Sequence, residues 1–172
     1  MIERWNINAD NLILLGHDID DNKELKFRLL SDATFMSPLL QIIIPHLFPH
    51  LFDDRSHGYD FDSENGVKYE MKNFTKNGVN LRESRHVGSA GKGSSRFNPE
   101  LDIQYYQLKW NSSFYYLITD ITNPPEIQVY IASVNDFLKT GLVNLNSNQM
   151  YGTIKYKNLE LLRKHSTFMG EK

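Results

Sequence analysis

The sequence predicts an α/β fold, a central mixed sheet flanked by helices, folded as one domain over residues 1–172. Three observations lead there. The chain has 172 residues, 40% hydrophobic and 12% aromatic, enough to bury a sizeable core. Its apolar pattern switches repeatedly between helical spacing and runs of β-branched and aromatic residues. It carries no internal repeat, and no stretch rich enough in Pro, Gly or Ser to separate two domains.

In chain order, "NKELKFRLL" at 22–30 has apolar residues at helical spacing, and "MSPLLQIIIPHLF" carries Pro38 where a first helical turn tolerates it. Residues 1–52 therefore read as a mainly helical amino-terminal and dimerisation part, broken at Pro45 and Pro49. The apolar stretch Leu39 to Leu51 is the expected contact, with 53–172 as the catalytic and DNA-recognition core. A hairpin follows at 59–74, then a long polar segment, "TKNGVNLRESRHVGSAGKGSSRFNP", whose glycines and serines mark a loop. "NPELDIQYYQLKW" reads as a helix with Asn98 as N-cap and Pro99 at the first position. "SFYYLITDI" and "IQVYIAS" read as strands joined by the turn "TNPPE". "SVNDFLKTG" reads as a short helix ending at Gly141, "YGTIKY" as a strand and "NLELLRKH" as a last helix.

Composition narrows the function. No cysteine occurs, which excludes a disulfide framework and thiolate metal sites. The start lacks a basic region followed by a long apolar one, and no apolar run approaches the roughly 18 residues of a membrane span; the expectation is a soluble, cytoplasmic protein. Net charge is -2, but residues 72–96 hold six basic residues against one acid, which leaves +5 there and -7 elsewhere. Such segregation suggests one anionic partner at one place.

The hairpin "YDFDSENGVKYEMKNF" carries the chemistry. With Glu64-Asn65-Gly66 as a three-residue loop and Gly66 in the left-handed conformation, Asp62 faces Lys68, Phe61 faces Tyr69 and Asp60 faces Glu70. Opposed side chains lie about 4.5–5.5 Å apart at Cβ, and alternation puts Lys72 on the same face as Glu70. Two carboxylates that close repel unless a cation lies between them, and hard oxygen ligands of this kind suit Mg²⁺. Lys72 could orient or deprotonate a water there, and these are the parts of phosphodiester hydrolysis. The competing view is a solvated strand of alternating charges in which Lys68 pairs with Asp62. Asp62 is also the rival of Asp60 as first acid.

Asp60 followed by Glu70-Met71-Lys72 resembles the motif of the PD-(D/E)xK nucleases, and within them the small type II restriction endonucleases of the PvuII kind. "LLQ" at 39–41, "NP" at 98–99 and "IKY" at 154–156 fit the same pattern. Tyr59 stands where the motif's name has Pro, and "SSRF" stands where that branch has histidines, so a target sequence does not transfer. The resemblance implies a homodimer straddling double-stranded DNA, each subunit cutting one strand with Mg²⁺. It further implies that Asp60, Glu70 and the backbone carbonyl of Met71 are metal ligands and that Lys72 attends the attacking water.

Groups suited to DNA contact are Lys76, Arg82, Arg85, His86, Lys92, Ser94, Ser95 and Arg96 in the basic segment, and the amides Asn148 and Gln149. Arginine suits guanine and amides suit adenine, whereas plain loop polarity is the bland account of each. His46 and His50 have a metal-pair spacing, but the prolines beside them disturb a helix and no third ligand presents itself. His57, near the hairpin, could reach a phosphate. Tyr105, Tyr106, Phe114, Tyr115 and Tyr116 could stack on bases, although their elements favour core packing. The function expected is a type II endonuclease. Other nucleases of the motif, such as a repair nuclease or junction resolvase, and a non-catalytic DNA-binding module are the alternatives.

Overall fold

A computed structural model describes residues 1–8, 23–53, 60–81, 114–142 and 153–172. Among these residues the fold is mixed α/β, built on a seven-stranded sheet. The elements run β1 (Ile2–Asn8), α1 (Lys23–Ser31), α2 (Ala33–Leu47), β2 (Leu51–Asp53), β3 (Phe61–Ser63), β4 (Lys68–Phe74), β5 (Val79–Asn80), β6 (Phe114–Asp120), β7 (Glu126–Ser133), α3 (Val134–Lys139), β8 (Thr153–Ile154), α4 (Leu159–His165) and β9 (Ser166–Glu171). The sheet order is β2-β3-β4-β6-β7-β1-β9, and β5 pairs separately with β8. The β4–β6 and β1–β9 pairs are parallel and the others antiparallel.

Strand alternation sorts the core onto two faces. On one, Leu117, Val129, Ile131, Tyr69 and Met71 pack with Leu30 of α1 and with Met36, Leu40 and Ile44 of α2. On the other, Tyr116, Ile118, Tyr130 and Phe74 pack with Phe137 of α3, Leu159 and Leu162 of α4, and Val79 and Ile154 of the small ribbon. Tyr116 is fully buried and its hydroxyl donates to the Leu81 carbonyl at 2.5 Å. The Tyr115 ring lies 5.6 Å from that of Tyr69. These two members of the aromatic run therefore serve the core.

The amino-terminal third differs from the sequence reading. It opens with β1, which lies inside the sheet between β7 and β9, so residues 1–52, helical over Lys23–Ser31 and Ala33–Leu47, also supply strands to the central sheet. Helix α2 begins at Ala33 because Asp32 caps it, accepting from the N–H groups of Thr34 at 2.7 Å and Phe35 at 3.3 Å. Pro38 accordingly falls inside the helix rather than in its first turn, and the helix runs through Pro45 to Leu47. Two interior prolines cost about 3 kcal/mol or more each. Burial of Met36, Leu40, Ile44 and Phe48, at about 1.5–3 kcal/mol per side chain, offsets that loss.

Elsewhere the reading holds closely. The predicted strands before and after "TNPPE" are β6 and β7, the short helix is α3, and Gly141 follows it with φ +70°. The last helix is α4, but β9 after it is unanticipated. Of the predicted strand at 151–156, Thr153–Ile154 is strand and Tyr156 begins a 3-10 turn that runs to Asn158, while 151–152 lie outside the described residues. The predicted helix at 98–110 lies outside the described residues.

Candidate active site

Hairpin β3–β4 sets the site. Phe61 pairs with Tyr69, the register that alternation and a three-residue loop predict, and Gly66 takes φ +71°. Asp62 ion-pairs with Lys68 and accepts from the Ser63 N–H at 2.7 Å. The rival first acid is thereby engaged on the hairpin itself.

Strand β4 is paired with β6 along its whole length, Lys68 to Phe114 through Phe74 to Asp120, but with β3 only at Tyr69. Beyond that point its outer edge leaves β3. Along a strand the N–H and C=O of a residue leave on the same side, and successive residues alternate. The Phe74 carbonyl accepts from the Ile121 N–H on the β6 side, whereas the Tyr69 carbonyl accepts from the Asp60 N–H on the β3 side. Met71 shares the parity of Tyr69, so both its N–H and its C=O face the freed edge.

Asp60 occupies that edge. Its Oδ2 accepts from the Met71 N–H at 2.7 Å, and its Oδ1 accepts from Gln41 Nε2 of α2 at 3.0 Å. Glu70, two residues before Lys72 and on the same face, ion-pairs with it through Oε1. Each carboxylate thus has its own compensating donor or charge, and the repulsion expected of the Asp60–Glu70 register is relieved within the protein.

Asp60, Glu70, Met71 and Lys72 line one cleft of about 460 Å³ together with Ala33, Ser37 and Gln41 of α2 and Asn73, Val79 and Asn80. The cleft lies at the freed edge of β4, between α2 on one face and β5 on the other. Asn73 braces its wall: its Nδ2 donates to Ser37 Oγ at 2.6 Å and to the Ala33 carbonyl at 3.2 Å, and its Oδ1 accepts from Thr119 Oγ1 at 2.5 Å. The Glu70 side chain is 12% exposed and that of Lys72 22%, so both are largely desolvated yet open on one side.

The donor set fits a hard divalent cation: two carboxylates and a backbone carbonyl at one strand edge, all oxygen. Among the described residues no group of three or more His, Cys, Asp or Glu gathers to hold a metal, in this cleft or elsewhere, so any cation here would rest on two carboxylates, the carbonyl and water. His46, on the last turn of α2, and His50, beyond the helix, are exposed, and the His50 ring lies edge-on to Phe48 at 6.3 Å.

Of the expected DNA-contacting residues, Lys76 is exposed in the turn after β4. Arg82, Arg85, His86, Lys92, Ser94, Ser95, Arg96, Asn148 and Gln149 lie outside the described residues, as do His57, Tyr105 and Tyr106. Ser37, Asn73 and Thr119 are neighbours of the site that the sequence reading missed. Nothing in their local spacing marks them, because the contacts join residues 36 to 46 positions apart. Gln41 stood out only as the end of "LLQ".

Compared with known proteins, the chain matches no family model, no curated protein and no solved structure.

Proposed function

We propose that this protein is a Mg²⁺-dependent endonuclease that hydrolyses phosphodiester bonds of double-stranded DNA, acting as a site-specific type II enzyme of the PD-(D/E)xK kind in a bacterial or archaeal cytoplasm. One observation carries the reading: Asp60, Glu70, Lys72 and the carbonyl edge of Met71 share a single cleft.

Asp60, Glu70 and the Met71 carbonyl would hold Mg²⁺, which when bound polarises phosphate oxygens and acidifies water. Asp60 is pre-aimed by Gln41 and the Met71 N–H, so little side-chain freedom remains to be lost on binding. Lys72, tethered by Glu70, can orient the attacking water or donate to a non-bridging phosphate oxygen and stabilise the charge developing there. In the net reaction a water oxygen bonds to phosphorus, one P–O ester bond breaks, and the leaving oxygen takes a proton.

A double-strand break at a palindrome most simply takes two such sites related by a two-fold axis. Leu40, Ile44 and Leu51 belong to the core, which leaves Ile42, 61% exposed, and Phe52, 48% exposed, as the apolar groups of this region for a second copy.

The test is incubation of supercoiled plasmid with the protein in Mg²⁺ and in EDTA. Discrete fragments in Mg²⁺ alone support the reading. A smear, or cutting only at branched junctions, favours a repair nuclease or resolvase, and intact plasmid under both conditions overturns it.

A further inference from the structure

The cleft has a second wall that carries charge. After β4 the chain turns through Thr75-Lys76-Asn77-Gly78 into β5, and β5 pairs with β8, Val79 with Ile154 and Asn80 with Thr153. The approach at Gly78 is close: its φ is +84°, and a Cβ there would stand 2.2 Å from the Ile154 carbonyl oxygen and 3.1 Å from the Lys155 Cα. Only glycine allows this contact, and through it the segments carrying Lys76 and Lys155 form one surface although they are nearly 80 positions apart. Tyr156 ties the same segment to the end of β4, its ring 6.5 Å from that of the buried Phe74.

Lys76, Lys155 and Lys157 are all exposed. Residues 75–81 and 153–158 together contain these three lysines and no acid, in a chain of net charge -2. Val79 and Asn80 of the ribbon also line the cleft of Asp60, Glu70 and Lys72. The basic surface is therefore continuous with the candidate active site rather than separate from it.

We infer that the β5–β8 ribbon with Lys76, Lys155 and Lys157 is a docking rim for the phosphate backbone of duplex DNA, holding the strand beside the cleft without reading its sequence. The inference rests on the nuclease reading and deepens it. Lysine heads on flexible stems suit phosphates as point charges, and phosphate contacts fix register while carrying no sequence information. The occupant follows from charge, because three exposed lysines on adjoining segments that carry no acid suit a polyanion.

The experiment measures anisotropy of a fluorescein-labelled 30-bp duplex with the full chain in Ca²⁺ at several salt concentrations, comparing wild type with Lys155→Gln/Lys157→Gln and with Lys139→Gln as the control. Lys139 serves because it lies on α3 beside Asp136. The double variant should bind about tenfold more weakly on duplexes of any sequence, and its salt slope should drop by about 2, at roughly 0.9 per phosphate contact. The control should match wild type. Wild-type binding with an unchanged slope in the double variant overturns the rim alone. A wild-type chain that binds no duplex overturns the nuclease reading and the rim together. Loss confined to one duplex sequence overturns the backbone role, and loss of binding to anionic lipid vesicles with duplex binding intact overturns the choice of DNA.

Discussion

Two acid-and-base groups lie on the same sheet, and their surroundings separate their uses. At the edge of β4, Asp60, Glu70 and Lys72 face a cleft. At the end of β6, Asp120 is 2% exposed and all its bonds go inward: Oδ1 accepts from the Thr122 N–H at 3.0 Å and from Thr122 Oγ1 at 2.6 Å, and Oδ2 meets Arg163 Nη2 of α4 at 3.4 Å. Arg163 Nε and the Tyr130 hydroxyl both donate to Gln128 Oε1, at 3.1 and 2.7 Å. Desolvation by burial, the largest influence, pushes the Tyr130 hydroxyl up to about 12. The second group spends its hydrogen-bonding capacity on joining β6, β7 and α4. The first keeps oxygens at an opening. Charge pairing by itself therefore does not mark a site; the proposal rests on pairing beside a cleft.

The largest effect is expected of Asp60→Ala, which removes a proposed metal ligand and leaves Gln41 and the Met71 N–H unanswered. Plasmid cleavage should fall on the order of 10³-fold or more while the circular dichroism spectrum persists. Retained cleavage would remove Asp60 from the site. Lys72→Ala should lower turnover about a hundred- to a thousandfold, in the range of a positioned proton-transfer or orienting group, with duplex binding in Ca²⁺ preserved by gel shift.

Asp120→Ala should act in the opposite sense. It strands the Thr122 donors and Arg163, so denaturant unfolding should show a loss of about 1–3 kcal/mol, with cleavage per folded molecule unchanged. The smallest effect is a pH dependence. The Tyr130 hydroxyl is raised in the fold above its ordinary value of 10, so the folded state holds its proton more tightly. Its stabilising contribution is complete below pH 10 and is lost as pH rises toward about 12. Thermal melts of wild type should fall over that window, and those of Tyr130→Phe should fall less.

What the sequence made legible follows from distance along the chain. The hairpin register, the left-handed Gly66 and the Asp62–Lys68 pair depend on alternation around one turn, and all can be read locally. Strands β6 and β7 announce themselves as apolar runs. By contrast, β1 is "IERWNIN" and β9 is "STFMGE", short and largely polar, and only their pairing with each other and with β7 makes them strands. The end of α2 was hidden because local proline rules argue for a break, whereas tertiary burial of one apolar stripe decides otherwise. At the site, the three charged residues were legible from the hairpin. The groups that aim and brace them, Gln41 on Asp60 and Ser37 and Thr119 on Asn73, come from α2 and β6, and no local pattern predicts such contacts.

The most direct measurement is the Mg²⁺-dependent cleavage rate of supercoiled plasmid by Glu70→Gln and Asp120→Asn, side by side with wild type and corrected for folded fraction. Both substitutions keep the size of the side chain and remove one negative charge. Glu70→Gln should lose cleavage almost completely, and Asp120→Asn should keep a wild-type rate. Equal rates in the two variants, or loss only in Asp120→Asn, would contradict the placement of catalysis in the β4 cleft.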